Sequence, residues 1–120
     1  KETMANTFKS VFKEDCVHTG TGTDVLTCPS SNSSKCVLIG LHLSNKTSSE
    51  VTATVNLVDY SENNTNEITL VNAVKIPANS MLAVLEGEKL ILEEQDVLRV
   101  VGSAATSVNA FVSYLLSDST

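Results

Sequence analysis

Apolar and polar residues alternate along a segment near the middle of the chain, "KCVLIGLHLSN", residues 35–45. An alternation with a period of two is typical of a β-strand that has one face in a core. The predicted buried face consists of Val37, Ile39, Leu41 and Leu43. The predicted opposite face consists of Cys36, Leu38 and Gly40.

The next segment, "EVTATVNLVDY", has the same period. Its apolar positions are Val51, Ala53, Val55 and Leu57, and polar residues stand between them. We predict a second half-buried strand here. The last apolar segment, residues 108–116, alternates in the same way, with Val108, Ala110, Val112 and Tyr114 set against Phe111 and Leu115.

Shorter apolar runs between turn signals predict further strands at residues 7–14, 24–27, 68–76, 81–85, 90–92 and 97–101. Residues 81–85 and 90–92 are expected to form a hairpin with Gly87 at its tip. Short strands with turns every eight to twelve residues or so are typical of a sandwich or barrel. We therefore predict an all-β fold, a single antiparallel β-sandwich (jelly-roll-like) of about eight to nine short strands.

The length of 120 residues suits one domain with a sizeable core. Lys1, Glu2 and Thr3 precede a plausible initiator, Met4, in "MANTF". We expect residues 1–3 to be a remnant left by cloning and residues 4–120 to form the single β-sandwich domain.

Composition narrows the classes of partner. The net charge is −6 and no run of Lys or Arg is present, so binding to a phosphate backbone is not expected. The longest apolar run, residues 81–85, is too short for a membrane-spanning helix. We predict no nucleic acid partner and no membrane partner.

Three cysteines are present, Cys16, Cys28 and Cys36, without a C-x-x-C motif. Metal sites usually need more ligands than three cysteines and two histidines provide. Cys28 and Cys36 flank "PSSNSSK", so a disulfide across a hairpin is geometrically possible. The favoured interpretation is a pair of buried thiols, since a protein assembled inside a cell keeps its thiols reduced.

The segment "LEGEKLILEEQD", residues 85–96, brings together Glu86, Glu88, Glu93, Glu94 and Asp96. In the predicted hairpin these acids form two groups roughly 17 Å apart. The ligand order of a calcium loop is missing, and a glycosidase site would need aromatic sugar platforms in a chain that has no Trp. We interpret the acids as solvated turns, and we predict no catalytic, cofactor-binding or metal site.

Two further patterns suggest chemistry more weakly. Cys16 and His18 are two residues apart and would share a side of an extended segment, but no oxyanion-hole or elbow motif accompanies them. Glycosylation sequons occur at Asn32, Asn45 and Asn63 in predicted turns, where they also arise by chance in a chain rich in Asn, Ser and Thr.

Several short patterns recur in a familiar order: "MANTFKS", "VLTCPSSNSSKCVLIGLHLSN", "VTATVNLVD", "KIPANSMLAVLEGEKLILEEQDVLRV" and "SYLL". In this order the chain resembles the small virion structural proteins of tailed bacteriophages, especially those of marine cyanobacteria. The resemblance implies a β-sandwich used as a capsid decoration, neck, tail or fibre component, located in the virion after assembly in the host bacterial cytoplasm. It implies no functional residues.

The residues and the resemblance together predict a non-enzymatic protein without cofactors that acts through protein–protein assembly. Its expected partners are other virion proteins and copies of itself, in a homo-oligomer of cyclic symmetry that covers the edge strands. One alternative is a glycan- or receptor-binding module on a phage appendage, with recognition by the loops "NKTSSE", "SENNTNE" and "GSAATS". The other is a hydrolase that uses Cys16 and His18.

Overall fold

The structure is a computed structural model that describes residues 4–20, 22–30, 33–60 and 66–119. The residues expected to be a cloning remnant, 1–3, lie outside this part. The described residues form eight strands: β1 (Met4–Lys13), β2 (Thr23–Thr27), β3 (Lys35–Asn45), β4 (Val51–Asp59), β5 (Asn66–Ile76), β6 (Ser80–Leu92), β7 (Val97–Gly102) and β8 (Val108–Ser119). The predicted all-β class is confirmed.

The strands form two four-stranded antiparallel sheets. Sheet 1 has the order β1-β8-β3-β6, and sheet 2 has the order β2-β7-β4-β5. This order interleaves early and late strands in each sheet, as in a jelly roll built from two Greek keys. The predicted antiparallel sandwich is therefore confirmed, and the edge strands are β1 and β6 in sheet 1 and β2 and β5 in sheet 2.

The core lies between the two sheets and is built from aliphatic side chains. The largest fully buried apolar side chains include Leu38, Leu41, Leu43, Ile76, Leu92 and Leu98. The prediction for β4 is confirmed at Val51, Ala53 and Val55, which are buried, whereas Leu57 is only partly buried. On β8, Val108, Ala110 and Val112 are buried, whereas Tyr114, which alternates with them, is only partly buried.

The predicted orientation of β3 is wrong over its first half. Leu38 is fully buried, whereas Ile39, predicted to be buried, is 39% exposed. Leu38 pairs with Tyr114 and Gly40 pairs with Ser113, so β3 has one more residue than β8 at this point. An extra residue in one strand is a β-bulge, and it shifts the alternation by one position. The shift explains why Leu41 and Leu43 are buried as predicted.

The predicted hairpin around Gly87 is also wrong. Residues 80–92 form one strand, β6, which pairs with β3 along almost its whole length. Leu38 pairs with Leu90, and Gly40 pairs with Glu86. Between these two pairs the chain advances by four residues in β6 but by only two residues in β3. The chain accommodates the "EGE" segment as an irregularity in the ladder and does not reverse direction, because residues on both sides of it bond to the same neighbouring strand.

Candidate interaction surface

Of the carboxylates in residues 85–96, the structure describes the side chains of Glu93, Glu94 and Asp96, and those of Glu86 and Glu88 lie outside the described part. Glu93 is exposed and lies 3.5 Å from the Lys35 ammonium group, as expected for a solvated turn. The prediction is wrong for Asp96, which is buried and accepts hydrogen bonds from the backbone N–H groups of Tyr60 and Glu93, both at 3.0 Å. Its carboxylate therefore organises the turn before β7. In the described part of the chain, no group of three or more His, Cys, Asp and Glu side chains could hold a metal ion.

Cys16 and His18 lie in different environments. Cys16 is fully buried in the core, whereas His18 is exposed at the surface. Burial raises the pKa of the Cys16 thiol to about 11, which is opposite to the change that activates a nucleophilic cysteine. The geometry therefore gives no support to a hydrolase that uses this pair.

Cys28 and Cys36 are buried, free thiols whose side chains are hydrogen-bonding partners. Burial raises the pKa of both, and it raises the pKa of Cys36 to about 12, with a further contribution from its neighbour Cys28. The favoured interpretation of two buried thiols agrees with this arrangement.

We expect all three thiols to react slowly with a disulfide reagent at pH 7.5 in the folded protein. Burial limits access to all three thiols and raises the pKa of each, and for Cys16 a pKa of about 11 lowers the thiolate fraction about 100-fold. Absorbance after addition of an aromatic disulfide, with peptide mapping of the labelled sites, measures the three rates. Guanidinium-unfolded protein is the control, in which all three should react rapidly. Selective labelling of Cys16 in the folded state would contradict the prediction and revive the hydrolase alternative.

Asn45, one of the three sequon residues, is buried at the end of β3. Its side-chain amide nitrogen donates to the carbonyl oxygens of Ser49 at 2.7 Å, Ile76 at 3.0 Å and Pro77 at 3.2 Å. Its side-chain oxygen accepts from the backbone N–H and hydroxyl of Thr47 at 2.9 and 2.8 Å. The predicted exposed turn is wrong here, since these contacts occupy the nitrogen that a glycan would need. Asn32 and Asn63 lie outside the described residues.

The loops of the glycan-binding alternative are only partly described. "NKTSSE" and "GSAATS" lie at the same end of the sandwich, where the backbone N–H of Lys46 donates to Ser107 O at 3.1 Å. Most of "SENNTNE" falls within residues 61–65, which lie outside the described part. Recognition by a surface of all three loops therefore remains a prediction.

The outer face of sheet 2 is polar. Arg99 on β7 lies 2.6 Å from Asp24 on β2 and 3.7 Å from Glu67 on β5. Glu67 also accepts a hydrogen bond from the Asn56 amide at 2.9 Å. Hydrogen-bonded charged and amide groups thus extend across all four strands, which is the usual composition of a solvated sheet face.

The outer face of sheet 1 is apolar. The strand registers place one row of side chains across all four strands: Phe8, Leu115, Val37 and Ile91. A second row, four positions further along β1, consists of Phe12, Phe111, His42 and Ala83. Phe8 is 77% exposed and Phe12 is 62% exposed, and the Phe12 and Phe111 rings meet edge to face with centroids 5.3 Å apart. We call these rows the first ridge and the second ridge.

The sequence of β8 contains a signal for this apolar face. Phe111 and Leu115 stand on the outer face of β8, opposite the buried Ala110 and Val112. A strand that is apolar on both faces usually has both faces covered. Alternation marks the core side of a strand, and apolar residues on its other side indicate a second covered face.

The β5–β6 side of the sandwich is open. On β5, Ile68 is 52% exposed and Leu70 is also exposed. A cleft of about 250 Å³ between β5 and sheet 1 is lined by Leu38, Leu41, Leu70, Val71, Val84, Leu85, Lys89 and Leu90. A second cleft, of about 420 Å³, is lined by Lys35, Leu57, Asp59, Ile68, Ile91, Glu93 and Asp96. Apolar side chains are thus accessible to solvent where the two edge strands face each other.

Comparisons with known proteins show the fold alone. No protein-family model matches the chain, and no curated protein matches it in sequence. The chain is similar to a solved structure of Bacillus endospore appendages, a family of disulfide-linked pili, with 15% identity and a TM-score of 0.50 over 98% of this chain and 90% of the other. It is also similar to a protein of infectious bursal disease virus, with 12% identity and a TM-score of 0.42 over 99% of this chain and 32% of the other.

The described strands and loops include no helix with the length and hydropathy needed to cross a membrane.

Proposed function

We propose that the chain is a non-enzymatic structural subunit that assembles with copies of itself in the virion of a tailed bacteriophage. The observation that supports assembly best is the open β5–β6 side, where Ile68 and Leu70 stand exposed on an edge strand of eleven residues. A long apolar edge offers unpaired backbone groups and apolar side chains to any matching strand. Coverage by another copy would remove this exposure.

The directions of the strands favour a head-to-tail contact. Each sheet has four antiparallel strands, so its two edge strands run in opposite directions. A second copy in the same orientation therefore presents β1 antiparallel to β6 and β2 antiparallel to β5. Such a heterologous contact closes into a ring when the rotation between copies permits it, as cyclic symmetry requires.

The place in a virion rests on the order of sequence patterns, which resembles that of small tailed-phage virion proteins. The endospore pilus protein with the same fold is a component of an assembled appendage, so the fold is compatible with a structural subunit. Capsid decoration, neck, tail and fibre positions all suit such a subunit, with other virion proteins as further partners.

We expect the wild-type protein to self-associate, and we expect Ile68→Lys/Leu70→Lys to reduce the mass of the assembly. Two lysines on β5 would place like charges at the apolar edge and oppose pairing with another strand. Multi-angle light scattering between about 5 and 500 µM measures the mass, with the 12.8 kDa chain as its unit. Thr19→Lys/Ser48→Lys, on two exposed loop residues away from β5, is the matched control and should assemble normally.

A wild-type protein that remains monomeric over this range would contradict self-assembly. The virion assignment has a separate test, which is quantitative peptide mapping of purified phage particles. Hundreds of copies per particle would indicate a capsid component, and a dozen or fewer a neck or tail component. Absence of the protein from purified particles would overturn the assignment.

A further inference from the structure

We infer that the outer face of sheet 1 docks against the same face of a second copy of this chain, related to the first by a two-fold axis. The inference rests on the proposed self-assembly and adds a contact that is distinct from the β5–β6 side. It follows from the composition, charge, symmetry and area of this face.

Rows of cross-strand neighbours organise the face into apolar and polar bands. Between the first and second ridges lies a middle row of small residues, in which Ser10 pairs with Ser113 and Ser113 pairs with Gly40. Ile39, the exposed residue of the β3 bulge, stands beside Gly40. Polar residues lie beyond the two ridges: Asn6, Ser117 and Lys35 at one end, and Asn109 and Ser44 at the other. An apolar centre with a polar rim is typical of a protein–protein interface.

The charge distribution favours a second copy as the partner. On β1, β8 and β3, the two ridges and the middle row contain no Lys, Arg, Asp or Glu. Glu86 takes the β6 position of the middle row, at the edge of the sheet. The chain as a whole carries a net charge of −6, so two copies repel each other over most orientations. Contact through β1, β8 and β3 of this face therefore brings no like charges of these rows together.

The arrangement of the ridges suits a two-fold axis. The first and second ridges lie on either side of the middle row, two residues away from it along β1. Rotation by 180° about an axis along the middle row places the first ridge of each copy opposite the second ridge of the other. Each aromatic side chain then meets an apolar row, which is the self-complementarity that an isologous contact needs.

The area of the face is sufficient for a stable pair. Its four strands contain 10, 12, 11 and 13 residues. At about 3.3 Å per residue and about 4.8 Å between strands, the face covers roughly 700 Å² on each copy. Two such faces bury about 1,400 Å², which lies within the usual range of specific interfaces.

The test compares two double variants that each add two negative charges. Phe8→Glu/Phe12→Glu changes one exposed side chain in each ridge, and we expect it to lower the mass of the wild-type assembly at least twofold. Thr19→Glu/Ser48→Glu changes two exposed side chains in loops, away from the edge strands and from sheet 1, and should leave the mass unchanged. Sedimentation velocity reports the masses, and circular dichroism melting verifies that both variants are folded.

A mixing experiment tests the partner directly. Phe8→Glu/Phe12→Glu combined with Phe8→Lys/Phe12→Lys should restore the wild-type mass, because opposite charges then meet across the interface. If the wild type self-associates and Phe8→Glu/Phe12→Glu keeps its mass, the face inference is overturned while self-assembly stands. If the wild type is itself monomeric, the proposed self-assembly fails as well.

Discussion

Asn45→Asp is expected to lower the free energy of unfolding by about 4 kcal/mol, the largest effect of any single change considered for this chain. The side-chain amide of Asn45 donates to three backbone carbonyl oxygens, at 2.7, 3.0 and 3.2 Å, from a position with 2% exposure. An aspartate would present an acceptor where three acceptors already converge. The substitution therefore both removes hydrogen bonds and adds repulsion inside the fold.

Asn45→Ala should cost less, about 3 kcal/mol, because it leaves the carbonyl groups unsatisfied without adding a charge. Urea unfolding monitored by circular dichroism gives both values. Asn79→Asp is the matched control, since Asn79 is exposed and its positive φ of 54° is tolerated by Asp. A loss below about 1 kcal/mol for Asn45→Asp would show that this side chain does not hold the β3–β4 turn against the end of β5.

Leu38→Ala is expected to lower the free energy of unfolding by about 3 kcal/mol, and Ile39→Ala by less than about 1 kcal/mol. Leu38 is fully buried, so its truncation leaves a cavity between the sheets, whereas Ile39 already contacts solvent. The alternation of the sequence predicts the opposite order. Each of the two adjacent residues is thus the control for the other. Unfolding in urea decides whether β3 contains the bulge, with Leu38 in the core, or alternates regularly, with Ile39 in the core.

An Ile39→Ala variant that loses more stability than Leu38→Ala would contradict the bulge. To keep self-association out of this comparison, both variants are measured at a concentration where the wild type is monomeric, because Ile39 lies on the proposed docking face. A loss for Ile39→Ala that appears only at high concentration would indicate its role in the contact between copies.

The fold class could be predicted because alternation and turn residues are local signals. Val51, Ala53 and Val55 are buried as their spacing indicates, and so are Val108, Ala110 and Val112. The first half of β3 could not be predicted, since a bulge depends on how many residues the neighbouring strand supplies. The "EGE" segment differs from its prediction for a similar reason: a glycine between acids favours a turn, but the residues on both sides of it pair with β3.

The candidate surface was harder to predict than the fold. Exposure of Phe8 and Phe12 depends on their lying on the outer face of sheet 1, which only the strand pairing reveals. Asn45 looked like a solvent-facing turn residue because Asn, Lys and Thr favour turns. Its burial follows from contacts with Ile76 and Pro77, about thirty positions away in the chain.

The pairing of the first strand with the last affects how the protein folds during synthesis. β8 lies between β1 and β3, and Met4 pairs with Ser119. Sheet 1 therefore stays incomplete until β8 has left the ribosome, and at about 5 to 20 residues per second β1 waits about 5 to 20 seconds for its partner. During that interval the strands that will flank β8 expose their backbone edges, so aggregation of nascent chains competes with folding. Chaperone supply during expression should then govern the yield more than the stability of the finished domain does.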